Sequence, residues 1–155
     1  MIATGKNVSP DEKPLNDTWD VPRVDIAPYN FSKPFWEATR QKRLVIQYCT
    51  ATGRYQFYPR PVSIFTGTRR LEWREVAATG TLFSYTIAHR GPDPFRGFEP
   101  YAVGTVTLDV GVNIVGNIIR CARKDLRIGM ALGPYWHPLP NGMHLLMFQP
   151  AGAAG

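Results

Sequence analysis

From Leu71 to Phe148 apolar and β-branched residues alternate with polar ones at a period of two, which predicts strands. Thr81–Arg90 sets Phe83, Tyr85 and Ile87 on one face. Tyr101–Leu108 and Val112–Ile119 are rich in Val, Ile and Thr, with a turn at Asp109-Val110-Gly111 between them. Ala131–Trp136 follows a short connection at Leu126–Gly129. Pro140-Asn141-Gly142 joins it to Met143–Phe148, and Asn-Gly is a strong hairpin signal. Five strands with one long interruption, Gly91–Pro100, predict a small Greek-key barrel.

Ahead of Leu71 the pattern changes. Phe31, Phe35 and Ala38 fall at helical spacing, Ser32 stands at the cap position, and Pro34 lies in the first turn. They predict a helix over residues 33–42, with Lys42 and Arg43 suited to its C-terminal dipole. Leu44–Tyr48 and Tyr55–Tyr58 are short β-type runs. In residues 1–30, Pro10, Pro14, Pro22 and Pro28 block both helix and ladder, so an extended arm is expected. Trp19, Val21, Val24, Ile26 and Tyr29 are too apolar for a segment that meets only water; the arm lies along its own domain or wraps a partner. The expected organisation is an arm (1–30), a helix with a small ribbon (31–70), a barrel (71–150) and a tail (151–155).

Composition narrows the class. A chain of 155 residues, 44 % hydrophobic, makes one ordinary domain or a small domain with an appendage. It has neither an apolar run of about 18 residues nor a signal-peptide layout, so no membrane span is expected. Its two cysteines read as free thiols in a reducing cytoplasm. The net charge is +6, with −2 in the first thirty residues and +8 in the remainder. A basic body attracts nucleic acid, an acidic protein or the phosphates of coenzyme A; it is equally a merely solvated surface.

Candidate chemistry centres on two short segments. Cys49-Thr50-Ala51-Thr52-Gly53 and Pro59-Arg60-Pro61-Val62-Ser63, continuing to Thr66-Gly67, have the frame of a zinc ribbon with two C-x-x-C knuckles. Three of the four ligand positions, however, are Thr52, Ser63 and Thr66, and neutral hydroxyls are poor partners for an ion that prefers thiolate or imidazole. The expectation is a degenerate ribbon with Cys49 as a relic ligand, no zinc and no other cofactor, held by packing among Val45, Tyr48, Tyr55, Phe57, Ile64 and Phe65. No G-x-S-x-G element, nucleophile–base pair or phosphate-cradling glycine loop occurs, so no catalytic residue is assigned.

These segments sit among others: Pro34-Phe35-Trp36-Glu37, Arg43-Leu44-Val45, Pro59-Arg60, Leu71-Glu72-Trp73, Gly80 to Thr86, and Leu126-x-Ile128-Gly129-Met130. In that order, over roughly three quarters of the chain, they resemble the "domain of unknown function thirty-five" family. The resemblance implies a mainly β chain: arm and short helix, a rubredoxin-like ribbon, then a five-stranded OB-fold barrel. It further implies a non-catalytic accessory subunit, in a hetero-oligomer, of a thiolase-fold or other acyl-CoA enzyme, helping to form its CoA-substrate channel, with acyl-CoA as a shared ligand. On that reading Trp19, Tyr29, Phe35, Trp36, Tyr55 and Phe57 are partner contacts, and Arg60, His89, Arg90 and Arg96 meet the CoA phosphates. The alternative is an OB-fold binder of single-stranded nucleic acid, built on Trp73, Phe83, Tyr85 and Tyr101 beside Arg69, Arg70 and Arg74.

Overall fold

A computed structural model describes residues 13–16 and 25–153. Trp19, Val21 and Val24 of the expected arm lie outside the described residues. Among the described residues the chain is mainly β with one short α-helix. Three strands, β1 (Leu44–Cys49), β2 (Arg54–Gln56) and β3 (Leu71–Val76), form a small antiparallel sheet in the order β2-β1-β3. Leu71–Val76, read from sequence with the barrel, hydrogen-bonds along the whole of β1, from Leu44↔Val76 to Cys49↔Leu71.

Five strands close the barrel: β4 (Gly80–Ala88), β5 (Tyr101–Leu108), β6 (Asn113–Ile118), β7 (Ala131–Pro138) and β8 (His144–Pro150). Their order, β4-β5-β6-β8-β7 and back to β4, is the Greek-key closure of an OB-fold. The turns fall where the sequence puts them: Gly111 and Gly142 take φ of 88° and 82°, a region that glycine enters without steric cost. One departure is a bulge between Leu82 and Ser84. It inserts Phe83 as an extra residue, breaks the expected alternation, and leaves both Phe83 and Tyr85 exposed.

Leu82, Val106, Ile118, Leu132 and Phe148 fill the barrel, and the same core runs on to Leu44, Ile46 and Phe35. Sheet, helix and barrel therefore share one interior. A second, smaller cluster of Tyr101, Ile119 and Met147 lies under the Gly91–Pro100 loop, where Phe95 and Phe98 pack on it. Among the described residues no helix is long and apolar enough to cross a membrane.

The helix α1 (Lys33–Thr39) follows a single 3-10 turn, Asn30–Ser32. Ser32 makes no side-chain cap; its hydroxyl instead donates to the Tyr29 carbonyl at 3.0 Å and closes the preceding turn. The helix ends before residue 42, which takes a left-handed conformation (Lys42 φ 56°). Its inward stripe is Ser32, Phe35 and Thr39, about one residue round from the predicted Phe31, Phe35 and Ala38. Thr39 then ties the helix to the barrel. Its hydroxyl accepts from the His144 amide at 3.1 Å, and its carbonyl lies 2.8 Å from His144 Nδ1. Arg40 adds a 2.6 Å bond to the Asn141 carbonyl, and Asn141 holds Asp25 and Ile26.

Candidate functional site

The parallel strands β6 and β8 share a single ladder pair, Ile118↔Phe148. Toward their starts, side chains fill the seam instead. Ile114, Val115, Leu145 and Leu146 floor a groove of about 300 Å³ there. Phe35 and Trp36 of α1 form one wall, and Phe57, Tyr58 and Pro59, after β2, form the other. Tyr29 and Phe31 complete it with rings stacked 5.9 Å apart and 8° from parallel. Phe35 meets the Trp36 ring edge-on at 5.0 Å and the Phe57 ring at 5.6 Å, so the walls support each other. No lining residue is charged. Tyr29 is 76 % exposed, Tyr58 57 % and Val115 53 %, values at which monomeric proteins seldom gather large apolar groups in one place.

Of the six residues expected to touch a partner, Tyr29, Phe35, Trp36 and Phe57 meet in this groove. Tyr55 does not line it; its ring packs edge-on against Tyr48 at 4.9 Å within the small sheet. Trp19 lies outside the described residues. Sequence reasoning missed Tyr58, Val115, Leu145 and Leu146. The last three come from strands that barrel closure alone brings beside α1, and no local pattern announces that. Tyr58 was legible as an aromatic next to Phe57, but not its exposure.

The two knuckles keep their geometry. Each closes with the fifth residue's amide on the first residue's carbonyl, Gly53 on Cys49 at 2.8 Å and Gly67 on Ser63 at 2.9 Å. Both glycines are left-handed, at φ 70° and 69°. Cys49 is fully buried, and its Sγ accepts from Ser63 Oγ at 3.1 Å. The Ser63 hydroxyl, then that of Thr52, lowers the thiol to about 7 against the opposing effect of desolvation. Thr66 turns instead to Thr68, 2.8 Å away. Beside the knuckles Gln47 and Gln56 form a buried clasp. Gln56 Nε2 donates to Gln47 Oε1 at 2.8 Å, Gln47 bonds both the amide and the carbonyl of Arg60, and Gln56 Oε1 accepts from the Ile64 amide at 2.9 Å. This pair fastens the second knuckle to β1 and β2.

The four residues expected to meet phosphates do not form one cluster. His89 and Arg90 line a cavity of about 240 Å³ with Lys13, Glu99 and Pro100. Arg96 does not line it; it pairs with Asp93 at 3.7 Å on the surface, and its charge reaches Glu99. Arg60 belongs to the ribbon. The nucleic-acid platform is likewise not assembled. Tyr101 is buried in the second cluster, Trp73 packs on the main core, and Arg74 lies 3.5 Å over the Tyr48 ring while paired with Glu72 at 3.0 Å.

Comparison with known proteins places this geometry. Residues 36–62 match the family model of the ChsH2 rubredoxin-like zinc ribbon domain, and residues 73–137 match that of the ChsH2 C-terminal OB-fold domain. A solved chain of the Ltp2-ChsH2(DUF35) aldolase is 34 % identical, with a TM-score of 0.72 over 82 % of this chain and 99 % of that one. The chain belongs to the DUF35 family. A DUF35 protein of unknown function from Sulfolobus solfataricus shares the fold at 13 % identity and a TM-score of 0.58, over 78 % of this chain and 85 % of that one. A probable enoyl-CoA hydratase alpha subunit of Thermomonospora curvata is 36 % identical over 79 % of this chain and 38 % of its own length. A DUF35 domain-containing scaffold protein of Methanocaldococcus jannaschii is 31 % identical over 40 % of this chain and 45 % of its own. The chain thus spans less than half the length of these curated relatives.

The family match corrects the cofactor expectation. The segment read as having no cofactor is recognised as a zinc ribbon domain of the DUF35 family. The donors brought together at its knuckles are one sulfur and neighbouring hydroxyls, and among the described residues no three His, Cys, Asp or Glu side chains cluster. Only the sulfur matches what structural zinc sites use, so this donor set does not fit the ion.

Proposed function

We propose that this chain is a non-catalytic accessory subunit that docks on an acyl-CoA-processing enzyme of thiolase or aldolase type and helps form its CoA-substrate channel. The observation that carries the reading is the likeness, at 34 % identity and over 99 % of its length, to the DUF35 chain of an aldolase complex. The relative named as a hydratase alpha subunit supports the same acyl-CoA setting. The aromatic groove is the docking surface, with the helix and ribbon as its walls and the barrel strands β6 and β8 as its floor. Two free, buried cysteines support a reducing compartment such as the cytoplasm.

The test is co-purification with a candidate acyl-CoA lyase or thiolase, followed by thioester turnover by each protein alone and by the pair. The expected outcome is a stable complex, no turnover by this chain alone, and higher turnover by the pair. Turnover by the lone chain, or no complex with any such enzyme, overturns the reading.

A further inference from the structure

The cavity at the end of β4 is built from three separate stretches of chain, and its walls are fixed. Asn16 reaches across with its amide on the Pro100 carbonyl at 2.7 Å and its side chain on the Phe98 carbonyl at 3.1 Å, which ties the stretch carrying Lys13 to the loop. Glu99 staples the loop from within, taking the Gly91 and Gly97 amides at 2.7 Å on its two oxygens. Phe95 and Phe98 anchor the same loop on Tyr101 and Met147. Lys13, His89 and Arg90 line the cavity together, and among the described residues no acidic side chain forms an ion pair with Lys13 or Arg90. Glu99 spends both oxygens on backbone amides, so it shapes the site without taking up either cation.

A preorganised depression with a fork-shaped guanidinium, a flexible ammonium and an imidazole suits a phosphate group carrying close to two negative charges. We infer that this cavity binds a phosphomonoester, with Lys13 and Arg90 as its principal contacts and His89 in its lining. The inference deepens the acyl-CoA reading by giving the ligand's phosphate end a place; of the residues expected from sequence it uses His89 and Arg90, and it adds Lys13. The groove lies close by along one strand, since Leu145 of β8 both lines the groove and packs in the cluster beneath this loop.

Calorimetric titration of the full chain at low ionic strength, with adenosine 3′,5′-bisphosphate in one arm and inorganic phosphate in the other, tests it without any partner. Binding that weakens about five- to tenfold in Lys13→Gln and in Arg90→Gln, and is unchanged in Arg96→Gln, is the expected result. Tighter binding of the bisphosphate identifies a nucleotide as the source, and equal binding identifies free phosphate; either supports the site. No binding in either arm, or equal losses in Arg96→Gln and Arg90→Gln, overturns it. Because the measurement uses this chain alone, its failure leaves the docking reading standing, and a failed co-purification leaves this one standing.

Discussion

Cys49 shows how much one side chain's surroundings can decide. A buried thiol alone would titrate high, yet hydrogen bonds from Ser63 and Thr52 hold it near 7, well below the usual thiol range. Cys121, with burial as the dominant influence and Asp125 nearby, moves the other way. Because the folded-state value of Cys49 is depressed, its contribution to stability is complete above the ordinary thiol pKa and disappears as pH falls through about 7. Thiolate absorbance at 240 nm should therefore rise with a midpoint near 7, vanish in Cys49→Ser, and shift to higher pH in Ser63→Ala. A midpoint unchanged by Ser63→Ala would rule out the hydroxyl as the cause. The Gln47–Gln56 clasp belongs to the same scale. Gln47→Leu strips partners from the Arg60 amide and carbonyl and from Gln56, so urea unfolding should show a loss of about 2–3 kcal/mol. Nothing in the sequence marks these glutamines: polar residues on a strand normally face water, and only cross-strand register Gln47↔Gln56 shows that they share an interior.

At the scale of elements the barrel was largely legible, because each of its five strands carries β-branched runs and its hairpins carry glycine where a positive φ is needed. Two features were not. The bulge at Phe83 depends on how β4 accommodates β5 as the barrel curves, and both Phe83 and Tyr85 are left exposed. The rotation of the helix stripe toward Thr39 depends on His144 and Asn141, a hundred residues away, and helical spacing cannot register them. Removing the Thr39 hydroxyl should accordingly matter although the side chain is small. Thr39→Val leaves the His144 amide without its acceptor and should cost about 1–2 kcal/mol by denaturant unfolding. Gly80 is constrained by closure instead. It pairs with Leu108 on one side and Leu132 on the other, and a methyl there would collide with the Thr107 carbonyl. Gly80→Ala should lower stability by about 1–3 kcal/mol, visible as a depressed melting temperature. An unchanged melting temperature would mean that the β4–β7 junction yields more freely than its geometry indicates.

For the whole molecule, the groove exists only because the ribbon, helix and barrel share one core. The sequence supplied four of its aromatics but could not show that they meet, since their convergence follows from how the small sheet packs on β6 and β8. If the groove is the docking surface, exposed Tyr58 can be changed without disturbing the interior. Tyr58→Asp should leave the melting curve unaltered while weakening association with the acyl-CoA enzyme more than tenfold, as expected of an aromatic anchor. Retained affinity in that variant would move the contact elsewhere.

The lone ladder pair between β6 and β8 has a consequence for how the fold breathes. Ahead of Ile118, the amides of β6 that point away from β5 have no strand to bind across the seam. They should trade their protons for deuterium earlier than the amides bonded between β5 and β6, and a protein seated over the groove should slow them more than any other part of the barrel.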